Sequence, residues 1–360
     1  MRVLLVDLAK TFGGAEVRTL LQAAALQGRT DHCAVAVLAG SELQRRLDKR
    51  GIPYHAIVES RSSPKILFAM QQIIRDNRYS VIDAHNVQSI FWGHLAAWRV
   101  GAQGRVATIH SDYAREYPGL KGKLYAASLT MNQQIAKAYI TVTEQLQVLY
   151  APRIDSTLIY NAVEVPTEPQ QGKPNPQFFA PDDFVVAIIG RLVPVKGHQY
   201  LIDALAQLTD YPHIKLLIVG DGILRDELSN RVIELGLQER VVFTGFRNDI
   251  PQILQSVDAV CMASLSEAMP FVVLEAATAA RPLVVTQVGG LNHLLTNEQT
   301  ALMVPPQSAD ALAAALRRLA GDSTLAQRLG QAGYDMVKTS FSTDAMIEQV
   351  LTVYQRALTP

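Results

Sequence analysis

The sequence predicts an α/β protein built as two doubly wound domains in series, each around a parallel sheet. Three observations carry that prediction. Apolar runs of strand length alternate with segments of helical periodicity along most of the chain. The alternation stops once, from Glu164 to Asp183, where EVPTEPQQGKPNPQFFAPDD holds five prolines among polar residues, the composition of a linker. It then restarts, and 360 residues exceed what one hydrophobic core usually supports.

Taken in order, RVLLVD (Arg2 to Asp7) reads as the first strand and Glu16 to Gln27 as its helix. CAVAVLA, SVIDAH, GRVATIH and AYITVTE repeat the strand signal. Beyond the linker come the strand FVVAIIG, a helix from about His198 to Leu208, the strand IKLLIVG, a helix from about Leu224 to Leu235 and the strand RVVFTG. DAVCMAS, a helix from about Pro270 to Ala280 and RPLVVTQ follow, then a helix around Ala309 to Ala320. The expected division is a Rossmann-like domain over 1–163, a linker over 164–183, a second Rossmann-like domain over 184–341 and a terminal helix within 342–360. That helix carries Met346, Ile347, Val350, Leu351 and Tyr354 at helical spacing, so it needs an apolar surface to cover. There is no internal repeat, and the linker is the sole biased tract.

With 49% hydrophobic and 18% charged residues the chain is an ordinary globular mixture. Cys33 and Cys261 lie far apart without metal-ligand spacing, and MRVLLVDLAK is too short an apolar run for a signal peptide, so a reducing cytoplasmic location is expected. No segment approaches the roughly 20 apolar residues of a membrane span, which leaves contact with a membrane surface as the one membrane role. The zero net charge hides an asymmetry: residues 1–166 hold 19 Lys+Arg against 13 Asp+Glu, leaving 14 against 20 for the rest. A basic first half suits an anionic lipid surface, and an acidic second half argues against nucleic acid as the main ligand.

The stretch SEAMPFVVLEA sets Glu267 and Glu275 in an otherwise apolar run. Burying an ionised carboxylate costs several kcal/mol unless it is paired or hydrogen-bonded, so each needs water, a cation or a ligand. DAVCMAS is the preceding strand, and Pro270 suits the first turn of the next helix, where its absent N–H is not needed. Glu267 then stands at the helix mouth, with Glu275 about 7.5 Å further along the axis. In IIGRLVPVKGHQYL a strand again runs into a helix, and the connecting loop carries Arg191 and Lys196. Two cations at a helix mouth, where N–H groups and the helix dipole attract negative charge, suit a diphosphate. A carboxylate accepts hydrogen bonds from vicinal hydroxyls, so Glu275 could hold a ribose diol and Glu267 a sugar. The plainer alternatives are solvated loop charges and glutamates bonded to local backbone.

These segments, with LLIVGDG, VVFTGFRNDIPQIL, GGAEVRTL, VIDAHN, ATIHS and LIYNAVEV, resemble retaining glycosyltransferases of family 4 over nearly the whole chain. The resemblance implies a GT-B fold, two Rossmann-like domains facing each other across a cleft, with the last helix crossing back onto the N-terminal domain. It implies that Arg191 and Lys196 bind the donor diphosphate, Glu275 its ribose and Glu267 the transferred sugar. Backbone amides of Met269, Phe271 and Val272 would cap the sugar and phosphate. Gly13 and Gly14 would let the first loop approach the phosphates, and His110 would sit over the donor sugar. Catalysis is expected to rest on Glu267, His110, Arg191 and Lys196 without metal or cofactor, since fixed cations stabilise the leaving group. The substrates implied are a nucleotide sugar, such as a UDP- or GDP-sugar, and a glycan or lipid-linked acceptor in cell-surface polysaccharide or glycolipid synthesis.

Two positions depart from the family pattern. Ala268 stands where glycine often follows the first glutamate, at a cost of about 1–2 kcal/mol if φ there is positive. NAV at Asn161–Val163 replaces NGV. His85 and His110 both end strand-like runs; a structural histidine is the commoner case, and His110 is the one taken as a site residue. Glu16 and Arg18 are secondary candidates. Tyr113 to Leu129 mixes Arg115, Lys121 and Lys123 with Tyr117, Leu120, Leu124 and Tyr125, which suits peripheral docking on anionic lipid at the inner face of the cell membrane, or a partly buried helix with snorkelling lysines. The competing functions are a dehydrogenase, poorly matched because no G-x-G-x-x-G follows RVLLVD, a sugar-nucleotide epimerase of GT-B fold, and a catalytically silent sugar-nucleotide binding subunit.

Overall fold

RVLLVD forms a strand buried on both faces because every side chain from Val3 to Val6 is apolar, the pattern of a parallel sheet covered by helices on each side. The computed structural model describes the chain apart from residues 62, 114–118, 151–154, 170–177, 268 and 360 and the side chains of Lys121 and Tyr150. Ala268, Arg115, Tyr117 and much of the Pro-rich segment therefore lie outside the described residues. The chain divides into two units, Met1–Glu164 with Ser342–Pro360, and Val165–Phe341.

In the first unit, β1 (Arg2–Asp7) pairs in parallel with β2 (His32–Leu38) and β4 (Val81–His85). With β3 (Tyr54–Ile57), β5 (Gly104–Ile109), β6 (Ala138–Thr141) and β7 (Ser156–Leu158) the sheet runs β3-β2-β1-β4-β5-β6-β7. The strand period sends Val3 and Leu5 into one core and Leu4 and Val6 into the other. Leu20, Ala23 and Leu26 of α1 (Gly14–Leu26) and Leu43 and Leu47 of α2 (Glu42–Lys49) cover the Val3 face. On the other face lie α3 (Lys65–Asp76), α4 (Val87–Val100), α5 (Leu120–Asn132) and α6 (Glu144–Tyr150).

The second unit orders its six strands β10-β9-β8-β11-β12-β13: β8 (Phe184–Ile189), β9 (Ile214–Val219), β10 (Val241–Gly245), β11 (Ala259–Met262), β12 (Leu283–Thr286) and β13 (Leu302–Val304). Its helices are α7 (His198–Ala206), α8 (Arg225–Glu234), α9 (Ile250–Gln255), α10 (Phe271–Thr278), α11 (Leu291–Leu294), α12 (Ala309–Gly321) and α13 (Ser323–Ser340). The beginning of the Pro-rich segment belongs to this unit, where the Tyr334 hydroxyl bonds the carbonyls of Pro166 and Thr167 at 2.8 and 2.7 Å. The sequence reading lacks α13 altogether. Gly330 and Gly333 within it speak against a helix, yet a Cβ at Gly330 would lie 2.1 Å from the Ala280 carbonyl oxygen, so glycine is what lets the helix pack there. The strands β3, β7 and β13 were also unread, being only three or four residues long.

The final helix, α14 (Thr343–Leu358), returns to the first unit, where Met346, Ile347, Val350, Val353, Tyr354 and Ala357 are buried on the Val3 face. A polar cluster runs beneath it. The Tyr354 hydroxyl donates to Asp83 Oδ2 at 2.6 Å, Gln22 Nε2 to the same oxygen at 2.7 Å, and Thr108 Oγ1 to Asp83 Oδ1 at 2.8 Å. Arg18, wholly buried, donates to the carbonyls of Ile159 and Tyr160 at 3.2 and 2.8 Å and to Gln22 Oε1 at 3.2 Å. Burial raises the Asp83 carboxyl and lowers the Arg18 guanidinium to about 10, while each charge favours the other's ionised form. Arg18 is thus a structural cation.

Candidate active site

Both sheets are open, parallel and reverse their strand order once, between β1 and β4 and between β8 and β11. Loops leaving the carboxyl ends on either side of such a switch point diverge and leave a ligand crevice. In the second unit those loops are Gly190 to Gly197, with a 3₁₀ turn at Pro194–Lys196, and Ala263 to Pro270. They carry the Arg191/Lys196 pair and Glu267.

The two loops are built as one piece. The Leu265 N–H donates to the Val195 carbonyl at 2.7 Å. Gly197 has φ of +66°, and a Cβ on it would sit 2.1 Å from the Ala263 carbonyl oxygen, so only glycine permits the approach. Across that contact Lys196 Nζ donates to Glu267 Oε1 at 2.5 Å, and the Ser264 hydroxyl donates to the same oxygen at 2.7 Å. The Glu267 side chain is 9% exposed, so this pairing is what lets an ionised carboxylate stand in an apolar stretch. Arg191, on the same loop, is exposed and has no ion-pair partner among the described residues.

Among the described residues no side chain caps α7 or α10, and while the Tyr200 and Val273 N–H groups donate to the Gly197 and Pro270 carbonyls, the N–H groups ahead of them, those of Phe271 and Val272 in α10, point out of the helix mouth toward where an anion would sit. Met269 and Pro270 are buried as the chain enters α10. Glu275, one turn in, is half-buried with no side-chain hydrogen-bond partner among the described residues, and burial raises its carboxyl. The two carboxylates differ: one is held by a lysine, the other has no side-chain partner among the described residues.

In the first unit Gly13 precedes α1, Gly14 opens it, and the Gly13 N–H donates to Glu16 Oε2 at 2.7 Å. Glu16 therefore holds the glycine pair in place. Asp7 ends β1 beside them, wholly buried, accepting from Thr19 Oγ1 at 2.8 Å, Asn86 Nδ2 at 3.0 Å and the Ala9 N–H at 3.2 Å. Burial and then the charge of Glu16 push its carboxyl up to about 8. Asn86 follows β4 with φ 64° and ψ 156°, a region other side chains avoid, and caps α4 by accepting from the Ser89 N–H at 3.1 Å and its hydroxyl at 2.9 Å. His85 ends β4, His110 follows β5, and His85 Nδ1 lies 2.9 Å from His110 Nε2. Burial lowers both, His85 to about 3, so both rings are neutral.

Sequence reasoning missed Ser264, Asp7, Asn86 and Asp83. The available signal was an acid within or ending a wholly apolar strand, RVLLVD or VIDAH, which only a buried polar partner makes tolerable. Asp7 carries a pH prediction. Its folded pKa lies above the ordinary 3.8, so the stability it contributes is complete below about pH 4 and is lost as pH rises toward about 8. Thermal midpoints of Asp7→Asn should fall less over that window than those of the unaltered chain; parallel curves would refute the assignment.

Two family models match. Residues 13–153 match the glycosyl transferase 4-like domain, and residues 170–336 the glycosyl transferases group 1. A lipopolysaccharide core biosynthesis glycosyltransferase of Rhizobium meliloti, LpsD, is 35% identical over 177 residues, 49% of this chain and 51% of that protein. The Escherichia coli UDP-Gal:α-D-GlcNAc-diphosphoundecaprenol α-1,3-galactosyltransferase is 27% identical over 289 residues, 72% of this chain and 71% of that one. The chain spans about half the length of the first curated relatives it matches. Among solved structures, Anabaena HepE in complex with UDP superimposes with a TM-score of 0.84 at 23% identity, over 99% of this chain and 100% of that one. The fold is that of GT-B glycosyltransferases, and the chain carries a glycosyl transferase 4-like domain followed by a domain of the glycosyl transferases group 1.

Proposed function

We propose that the chain is a retaining, metal-independent glycosyltransferase that moves a hexosyl unit from a nucleoside-diphosphate sugar to a glycan or lipid-linked acceptor. The observation that carries this reading is the Lys196–Glu267 contact at the strand-order reversal, with Arg191 and two uncapped helix mouths beside it. In such a transfer the diphosphate leaves as an anion while positive charge grows on the sugar ring. Arg191, Lys196 and the first N–H groups of α10 stabilise the leaving group by fixed charge and need no reorganisation as the bond breaks. Glu267, held by Lys196 and Ser264, accepts from the sugar's hydroxyls, and Glu275 takes the ribose diol. Met269, Phe271 and Val272 present backbone N–H groups to sugar and phosphate, and in the first unit Gly13, Gly14 and His110 are the residues offered to substrate. The galactosyltransferase relative acts on a lipid-linked acceptor by its name, and HepE is described with UDP and UDP-glucose, which puts UDP first among nucleotides to try.

The test is thermal unfolding against UDP, GDP, ADP and dTDP beside the Arg191→Ala/Lys196→Ala double variant. A nucleotide at about 100 times its Kd stabilises by about 2.7 kcal/mol. One nucleotide should shift the unaltered chain and not the variant; no shift with any of them would overturn the reading. Turnover should also survive a chelator, and the product should keep the donor's anomeric configuration.

A surface on the first unit supports membrane contact. On α5, Leu120, Leu124 and Met131 are 75%, 61% and 64% exposed at helical spacing, with Lys123 exposed among them. No helix among the described residues is long and apolar enough to cross a membrane. Anionic vesicles should sediment the chain and zwitterionic ones should not, and Leu120→Glu/Leu124→Glu should abolish the difference. Equal sedimentation of both proteins would remove this surface from consideration.

A further inference from the structure

We propose that His85 is a positioning residue that fixes the tautomer of His110, so that His110 presents a bare Nδ1 lone pair and accepts, rather than donates, a hydrogen bond from a substrate hydroxyl. The inference rests on the reading above for the identity of the ligand, but not for the tautomer itself. Three groups stand in a row. Asp83 Oδ2 lies 3.7 Å from His85 Nε2, and His85 Nδ1 lies 2.9 Å from His110 Nε2. One proton must lie between the two rings, so fixing one tautomer fixes the other.

Asp83 breaks the symmetry. Its carboxylate accepts from Tyr354, Gln22 and Thr108 and has buried Arg18 for a counter-charge. His85 Nε2 is buried with no hydrogen-bond partner among the described residues and faces Asp83 Oδ2 at 3.7 Å, while the charge of Arg18 disfavours a second proton on either ring. A proton on Nε2 is attracted to the Asp83 oxygen; a lone pair there would face the lone pairs of that oxygen in a low dielectric. His85 therefore carries its proton on Nε2 and offers Nδ1 as an acceptor, so His110 must donate from Nε2. Its remaining nitrogen, Nδ1, has no partner among the described residues and is left as an acceptor. The strand ends hold the rings in register, since β4 and β5 pair with His85 opposite Thr108 and the strained, doubly bonded Asn86 pins the chain just after His85.

Long-range ¹H–¹⁵N correlation spectra of the full chain with labelled histidine read the tautomers directly, with no donor or acceptor present. Both His85 and His110 should carry Nε2–H, and a proton on His110 Nδ1 would overturn the proposal. His85→Phe should release His110 into mixed tautomers, while His85→Asn, whose side-chain oxygen replaces the Nδ1 lone pair, should keep Nε2–H. If His85→Phe does not fold, the spectrum of the unaltered chain still decides. With a donor in hand, His85→Phe should lower kcat/KM about tenfold, the equivalent of one hydrogen bond, and His85→Asn should restore it. Correct tautomers with unchanged kcat/KM in His85→Phe would refute the positioning role and leave the nucleotide-binding result untouched.

Discussion

Lys196→Ala is expected to lower turnover by about 10²–10³, or about 2.7–4 kcal/mol of transition-state stabilisation, if the ammonium acts as one preorganised partner of the departing diphosphate. Two losses combine. The leaving group loses a fixed cation, and Glu267, 9% exposed, loses the ion pair that holds its carboxylate in an apolar segment. The second loss affects sugar placement as well as charge, so the effect should fall mainly on kcat. Lys196→Arg keeps the charge but offers a planar fork in place of a compact ammonium, and should recover only part of the rate. The check is steady-state turnover with thermal midpoints measured alongside. Undiminished kcat in Lys196→Ala would remove the lysine from the chemistry and leave its contact with Glu267 as packing.

Arg18→Met should destabilise the first unit by about 3–5 kcal/mol, because it leaves the carbonyls that Arg18 bonds without their donor and a buried carboxyl without its counter-charge. The carbonyls of Ile159 and Tyr160 lose their donor and Asp83 loses the cation that favours its ionised form. For a unit of this size, with roughly 2–4 °C lost per kcal/mol, the thermal midpoint should drop by about 6–20 °C. Nucleotide-induced stabilisation of the second unit should be unaffected. A midpoint within a degree of the unaltered chain would mean that the cluster relaxes around the lost charge.

How much of this was legible depends on how far apart the partners lie in sequence. Glu267, Glu275, Arg191 and Lys196 could be read because each sits on or just past one strand-to-helix loop, and local pattern locates such loops. Their pairing could not, since it depends on β8 and β11 being neighbours. Asp83 and Tyr354 are 271 residues apart, and nothing short of the fold joins them. His85 and His110 were both visible as strand-ending histidines, but their contact follows from the register of β4 against β5. The helix α13 was lost for the opposite reason: its glycines meet a demand of tertiary packing that runs against local propensity.

The return of α14 to the first unit has a consequence for the order of synthesis. Val165–Phe341 is one uninterrupted stretch and can fold as it emerges from the ribosome, whereas the sheet begun at Arg2 keeps one apolar face incompletely covered until Thr343–Leu358 has been made. Although domains made first generally fold first, here the half begun first is the half finished last. A nascent chain therefore carries an open hydrophobic surface throughout translation of its second half, and a lesion in the last helix is felt as a defect of the first strands.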